Sequence, residues 1–159
     1  MLSKLIVAMT LRMPRWFVRW VSRRYVAGSN LKDAVAVMKR LESEGACFTI
    51  DVLGEEISSM DEAQFFLDEY VRVMNAIVEN KFDANLSIKP TAFGLLVDKK
   101  QGLENIESLV RQAAAHDMFV RLDMEDHRVT TETIQVVLDL HKKGCLLYTS
   151  DAADEGGSG

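Results

Sequence analysis

Cysteine and histidine are scarce in this sequence. Its 159 residues include two cysteines, Cys47 and Cys145, and three histidines. So few cysteines exclude a disulfide framework and a zinc quartet, and they favour a reducing cytoplasm. The histidines are not grouped with each other or with cysteine, so we expect no metal site. Cys47 lies in an apolar run and is predicted to be a buried apolar residue.

Long hydrophobic runs and a surplus of positive charge are also missing. A membrane-spanning helix needs about 20 consecutive apolar residues, and the sequence contains no such run. The opening stretch MLSKLIVAM is short and no small-residue cleavage site follows it, so a secretory signal is not expected. The net charge of −5 argues against nucleic-acid binding, because phosphate recognition needs a concentrated positive surface.

The positive charge that is present is concentrated near the N-terminus. The basic residues of this segment are Lys4, Arg12, Arg15, Arg19, Arg23 and Arg24. Trp16, Phe17 and Trp20 lie among them, a mixture that suits an anionic lipid headgroup layer. We therefore predict a basic helical arm over residues 1–28. It either makes peripheral contact with the inner membrane surface or packs against the rest of the protein with its arginines in solvent.

Strand-forming and helix-forming segments alternate after Gly28. The predicted strands are the runs CFTIDVL, LSIKP and FVRLDM. The predicted helices run from Asn30 to about Gly45, from Ser59 to about Asn80, from about Leu103 to His116 and from about Thr131 to Lys143. Asn30 with Asp33, and Ser59 with Glu62, are the expected N-terminal caps. Three strand-helix units repeating at roughly 35 residues predict an α/β fold with parallel strands.

The side chains of each predicted strand divide into an apolar and a polar set, because successive residues face opposite sides. The apolar set is Phe48, Ile50, Val52, Leu86, Ile88, Pro90, Val120, Leu122 and Met124. The polar set is Thr49, Asp51, Ser87, Lys89, Thr91, Arg121, Asp123 and Glu125. An open doubly wound sheet favours apolar residues in both sets. A barrel with its ligand site at the C-terminal ends of the strands accommodates the polar set better, so we predict a partial (β/α)8 TIM barrel of about three parallel strands, preceded by N-terminal helices.

The charges in the polar set allow two interpretations. Any one of them is most simply explained by a structural ion pair or by a solvated strand end. Charges late in three neighbouring strands, on one face, favour a functional site, since burying unpaired charge is costly.

Four motifs, in order and spacing, resemble the first part of bacterial single-function proline dehydrogenases. They are RYVAG at 24–28, TIDVLGE at 49–55, NLSIKPTAFGL at 85–95 and FVRLDMED at 119–126, and the resemblance covers roughly residues 15–143. Pro90 is a departure, because leucine is commoner there in the family; its place at a strand end makes it tolerable.

The resemblance implies a flavoenzyme of proline catabolism. Members of the family oxidise L-proline to 1-pyrroline-5-carboxylate with FAD and pass the electrons to a membrane quinone. By the same resemblance Lys89 contacts proline, Asp123 belongs to the catalytic constellation, and the backbone of Met124 lies against the flavin. Asp51 and Arg121 are expected to support the site.

The sequence accounts for only three of the eight strands that a complete barrel needs. The resemblance implies that most flavin contacts, and an arginine pair that clamps the substrate carboxylate, come from later elements. We therefore expect this chain alone to retain no FAD and to have no turnover. An open edge at the third strand predicts self-association. The alternative function is a non-catalytic module that self-associates or binds a membrane surface.

The C-terminal segment differs from the family continuation. Residues 145–155, CLLYTSDAADE, match the translation of a transposase sequencing adapter in one reading frame, and the final GGSG is typical of a linker. A natural acidic tail is the alternative. We therefore divide the chain into the arm at 1–28, a partial barrel at 29–144 and a non-native acidic and Gly-Ser tail at 145–159.

Overall fold

The structure is a computed structural model that describes residues 30–54, 57–125, 127–145 and 147–149, together with 13, 14, 17, 21 and 26–28. The chain divides into two compact units, Met1–Arg40 and Leu41–Gly159. The predicted basic arm lies almost wholly outside the described residues, so its helices and its membrane contact stay predictions. None of the helices in the described part of the chain is both long and apolar enough to cross a membrane.

Helix α1, Leu31–Ser43, begins where the sequence predicts. The side chain of Asn30 accepts a hydrogen bond of 3.0 Å from the backbone N–H of Asp33, and the Asn30 amide donates to the Asp33 carboxylate at 2.9 Å. This reciprocal pairing satisfies a backbone donor that the first turn of a helix leaves free.

Four parallel strands form one sheet in the order β1-β2-β3-β4. They are β1, Phe48–Asp51; β2, Ala84–Ile88; β3, Val120–Leu122; and β4, Leu147–Thr149. Asp51 is in register with Ser87, Ser87 with Arg121 and Arg121 with Tyr148. Each strand thus pairs with the next along the chain, as in a barrel, whereas a doubly wound sheet reverses its order near the first strand.

Strand β4 was not expected from the sequence. It forms within the segment interpreted as a non-native tail, and it pairs with β3. The expectation that the third strand has an open edge is therefore wrong for the described residues. The physical reason is that the unpaired edge of a parallel strand is a template for any nearby extended segment, and Leu-Tyr-Thr has strand propensity. Whether residues 145–159 are native stays a prediction.

Three helices connect the strands. They are α2, Met60–Asn80; α3, Lys99–Ala114; and α4, Thr130–Lys142. Ser59 caps α2 by accepting from the Glu62 N–H, as predicted, although the Glu62 carboxylate reaches back to Ser58. Helix α3 begins four residues before the predicted Leu103 because Asp98 caps it.

The apolar residues of the second and third strands form the core with the helices. Leu86, Ile88, Val120 and Leu122 are fully buried, as are Ile106 and Leu109 of α3 and Tyr70 of α2. Burying such side chains contributes roughly 1.5–3 kcal/mol each before the opposing loss of chain entropy. Cys47, in contrast, is exposed because it precedes β1 instead of lying within it, so the prediction that it is buried is wrong.

Proline ends the second strand earlier than the sequence analysis supposed. Pro90 begins a short 3-10 helix, Pro90–Phe93, because it has no N–H to continue the sheet. Lys89 stays extended in front of it. The backbone alternation therefore stops at Lys89, and Thr91 reaches the same edge of the sheet through a helical turn.

Candidate active site

Side chains of the polar set come together where the strands end. Asp51 is the last residue of β1, Lys89 follows β2 directly, and Asp123 follows β3 directly. A hydrogen bond of 2.9 Å from the Asp123 N–H to the Ile88 carbonyl keeps the two latter segments adjacent. Because the C-terminal ends of parallel strands share one edge, the three side chains lie at a common rim.

Lys89 and Asp51 form an ion pair across the first two strands. The Lys89 Nζ donates to Asp51 Oδ2 at 2.6 Å, and the two side chains are 20% and 27% exposed. Burial acts to lower the pKa of Lys89, but the hydrogen bond to Asp51 and the charges of Asp51, Asp123 and Glu125 outweigh it and raise that pKa. Lys89 is therefore a fixed cation surrounded by carboxylates.

Tyr70 of α2 holds the other oxygen of Asp51. Its hydroxyl lies 2.9 Å from Asp51 Oδ1 and 2.8 Å from the Ser87 carbonyl oxygen, and it accepts a hydrogen bond of 3.2 Å from the Val52 N–H. Burial and the Asp51 charge raise the pKa of Tyr70 far above its ordinary value, so the phenol stays protonated. Tyr70 is not among the site residues predicted from the sequence.

A signal for Tyr70 is nevertheless present in the sequence. The buried face of α2 includes Ala63, Leu67, Met74 and Ile77, and Tyr70 lies on it at helical spacing. A tyrosine that is fully buried needs a hydrogen-bond partner for its hydroxyl. The pattern predicts a polar contact beneath the helix, but not which strand supplies it.

Asp123 is anchored separately from Asp51. The Ser87 hydroxyl, which is buried in β2, donates to Asp123 Oδ1 at 2.7 Å. Ser87 Oγ therefore orients the carboxylate predicted to be catalytic, while Lys89 and Asp51 form their own pair.

The turn that follows Lys89 donates hydrogen bonds to Glu125. Its carboxylate accepts from the Thr91 N–H at 3.1 Å and from the Thr91 hydroxyl at 2.9 Å, and Thr91 is buried. Two donors from one residue fix both the position and the plane of the carboxylate. Glu125 thus adds a third negative charge to the rim.

Arg121 lies two residues before Asp123 and so faces the same side of the sheet. Its Nε atom is buried and has no hydrogen-bond partner within the described part of the chain, and the same is true of Asn85 Oδ1 on β2. Buried polar atoms of native proteins are nearly always paired. Arg121 belongs to the polar set, and Asn85, two residues before Ser87, faces the same side of the sheet. That side of the sheet is therefore incomplete in the described residues.

Met124 is half-buried between Asp123 and Glu125. Its predicted backbone contact with a flavin stays a prediction, as do the roles assigned to Lys89, Asp123, Asp51 and Arg121. Within the described ranges, no group of three or more histidine, cysteine or acidic side chains is placed to hold a metal ion.

Comparison with known proteins identifies the family. A sequence model of the family described as "Proline dehydrogenase" matches residues 34–149. This chain belongs to the proline dehydrogenase family. The match covers all the strands and all the rim residues described above.

Two bacterial proline dehydrogenases show the extent of the similarity. Proline dehydrogenase 1 of Bacillus subtilis subsp. natto is 36% identical over 115 residues, which are 72% of this chain and 38% of that protein. Proline dehydrogenase of Deinococcus radiodurans is 29% identical over 118 residues, again 72% of this chain and 38% of that protein. The chain therefore spans little more than a third of these relatives.

Solved structures share the fold. Proline utilization A (PutA) from Bdellovibrio bacteriovorus, inactivated by N-propargylglycine, superposes with a TM-score of 0.72 and 22% identity, covering 83% of this chain and 17% of that one. PutA from Corynebacterium freiburgense gives a TM-score of 0.60 and 21% identity, covering 77% and 13%. The sheet and its helices are thus an α/β arrangement of the TIM-barrel type, as predicted.

The residues described here do not fit a complete FAD, the cofactor that the sequence resemblance implies for the proline dehydrogenase family. Its two phosphates require cations or free amides at helix N-termini. Helix α2 carries Asp61 and Glu62 in its first turn, and α4 carries Glu132. Lys99, which begins α3, is paired with Glu132 at 2.8 Å. The starts of α2 and α4 therefore repel a pyrophosphate. At α3 Lys99 is already neutralised, and the exposed Lys100 beside it is too little positive charge for two phosphates.

Proposed function

We propose that the complete protein oxidises L-proline to 1-pyrroline-5-carboxylate in the cytoplasm, with FAD as hydride acceptor and a quinone as the final electron acceptor. This chain supplies the substrate-facing rim of the first three strands. The observation that carries the proposal is the convergence of the Lys89–Asp51 and Ser87–Asp123 pairs at the C-terminal ends of the strands, within the family-matched residues.

Lys89 is suited to bind the carboxylate of proline. An ammonium group has three N–H donors, and in the described part of the chain one of them goes to Asp51. The other two are available to a substrate carboxylate. The raised pKa keeps the group charged throughout the neutral range. Lys89 therefore provides a positively charged contact at every pH below its raised pKa.

Asp123 is suited to the amine of proline. Oxidation removes a hydride from the carbon beside the nitrogen and a proton from the ammonium form of the amine. Ser87 occupies Asp123 Oδ1, so Oδ2 is the oxygen we assign to the amine proton. In this assignment Asp51 acts through Lys89, because it holds the Lys89 ammonium in position.

The poor fit of the described residues to the FAD pyrophosphate leads to a prediction for the isolated chain. We infer that FAD is bound by residues outside the described part of this chain, so the chain alone retains none. After incubation with excess FAD and desalting, we expect no flavin absorbance to remain with the protein. A stoichiometric yellow complex that reduces a dye when proline is added would contradict this inference.

A chimera tests the proposed activity. Residues 34–144 of this chain would replace the matched segment of proline dehydrogenase 1 from Bacillus subtilis subsp. natto, which provides the remaining strands. We expect the chimera to retain FAD and to reduce a dye in a proline-dependent manner. A chimera that is folded and flavin-loaded, but inactive with L-proline while the intact relative is active, would overturn the proposal.

A further inference from the structure

Tyr70 is a fully buried residue in contact with the rim, and its hydroxyl has hydrogen-bond partners in three directions. It accepts from the Val52 N–H, and it lies within hydrogen-bond distance of Asp51 Oδ1 and the Ser87 carbonyl. Its ring also lies against Phe93, with centroids 5.4 Å apart. The oxygen atom therefore cannot move without disturbing both β1 and the ring packing.

The single hydroxyl proton has two acceptors within reach. A hydrogen bond to an ionised carboxylate is about twice as strong as one to a neutral carbonyl, so Asp51 is the favoured acceptor. Asp51 is then held at Oδ1 by Tyr70 and at Oδ2 by Lys89. Tyr70 of α2 therefore sets the plane of the Asp51 carboxylate, and with it the direction in which Lys89 Nζ points.

We propose that Tyr70 is a positioning residue, which fixes the Asp51 carboxylate so that the Lys89 ammonium faces the substrate. This inference rests on the proposed function for its meaning in catalysis, but not for its geometry. A purely structural role is the competing explanation, because the Tyr70 hydroxyl also satisfies the Val52 N–H where the β1 ladder ends.

The positioning role and the purely structural role predict different hydrogen exchange rates for the Lys89 ammonium. Selective 15N-lysine labelling of the full chain, with Lys89→Arg to assign the signal, allows the hydrogen exchange rate of the Lys89 ammonium to be measured by NMR. In Tyr70→Phe the ring is kept and only the hydroxyl is lost. We expect the exchange rate of Lys89 to rise about tenfold, the effect of losing one charge-assisted hydrogen bond from its partner.

Matched variants calibrate this measurement. Met74→Leu alters another buried residue of α2 and is expected to leave the Lys89 exchange rate unchanged. Asp51→Asn removes the carboxylate that pairs with Lys89, and the exchange rate of Lys89 in this variant sets the upper limit of the effect. Equal acceleration in Tyr70→Phe and Met74→Leu, or no change in Tyr70→Phe while Asp51→Asn is accelerated, would overturn the proposal.

If Tyr70→Phe does not fold, a second substitution tests whether Tyr70 is a positioning residue. Site-specific 3-fluorotyrosine at position 70 makes the hydroxyl a stronger donor and keeps its contacts, so the exchange of Lys89 should slow. An unchanged or faster rate would contradict a positioning role. None of these measurements uses proline or FAD, so an inactive chimera would count against the proposed function and leave this test standing.

Discussion

Tyr70 and Lys89 both have pKa values raised above their ordinary ones of 10.0 and 10.5. Burial is the main cause for Tyr70, and the carboxylates outweigh burial for Lys89. A group whose pKa is raised in the folded state stabilises the fold fully below its unfolded pKa, and that stability is lost as pH rises towards the folded pKa. Both groups therefore make the fold sensitive to alkaline pH above about 10.

The Tyr70 hydroxyl gives a pH-dependent prediction. At pH 7 the variant Tyr70→Phe should be less stable than wild type by about 1–3 kcal/mol, because the Val52 N–H and the Asp51 carboxylate lose their partner. Above pH 10 that difference should narrow by about 1.4 kcal/mol per pH unit. Urea unfolding from pH 7 to 11 measures it, with Met74→Leu as a control whose deficit is independent of pH. A constant deficit for Tyr70→Phe would contradict the pKa direction.

Strand alternation predicts some of the contacts between single residues at the rim, but not all of them. The alternation of β-strand side chains places Asp51, Lys89 and Asp123 on one face, and the structure brings them to one rim. Tyr70 could not be assigned because its partner is set by how a helix lies on the sheet, which local spacing does not encode. The pairing of Thr91 with Glu125 was hidden for a similar reason, since it depends on the turn made by Pro90.

At the scale of elements, α3 packs closely on the turn after β2. A Cβ atom added to Gly102 would lie 2.7 Å from the Leu95 backbone nitrogen and 2.9 Å from the Gly94 carbonyl carbon. Gly94 itself has a φ of 97°, which favours glycine, so the turn cannot easily move aside. The first turn of α3 therefore needs a residue without a side chain.

Gly102→Ala is predicted to destabilise the chain although alanine favours helix by about 1 kcal/mol relative to glycine. The clash is with backbone atoms, and overpacking of this kind costs about 1–3 kcal/mol, so we expect a net loss. Denaturant unfolding measures it, and Ser108→Ala on the exposed side of the same helix is the control, expected to be neutral or slightly stabilising. A stabilising effect of Gly102→Ala would show that α3 lies farther from the turn.

Element boundaries were predicted well where capping chemistry was visible. Ser59 begins α2 and Asn30 begins α1 because their side chains accept from the third residue of each helix. Helix α3 was predicted to start too late, since Asp98 is separated from the apolar pattern by polar residues. Strand β4 was not predicted, because its pairing is imposed by the edge of β3 and not by its own sequence.

At the scale of the whole molecule, the sheet ends in two edges. Strand β1 pairs only with β2, and β4 only with β3, within the described part of the chain. Arg121 Nε and Asn85 Oδ1 add buried polar atoms that have no hydrogen-bond partner among the described residues. Unpaired strand edges and uncompensated polar groups are both features that further strands would satisfy.

We predict that this chain self-associates through its strand edges. Light scattering should show an apparent mass that rises with protein concentration, because the edge of β1 that is unpaired among the described residues can pair with another copy. The variant Thr49→Pro removes an N–H from β1 and should reduce the association, whereas Ser108→Ala should not. A strictly monomeric chain at all concentrations would refute this prediction.

The central claim is that Lys89 and its carboxylate partners form the proline-binding rim. Its most direct test is kcat/KM for L-proline in the chimera carrying Lys89→Ala, compared with Lys100→Ala, whose side chain is 88% exposed. We predict a fall of about tenfold to a hundredfold for Lys89→Ala, from the loss of a charged hydrogen bond to substrate, and no change for Lys100→Ala. Equal kcat/KM values for the Lys89→Ala chimera and the unsubstituted chimera would contradict the account.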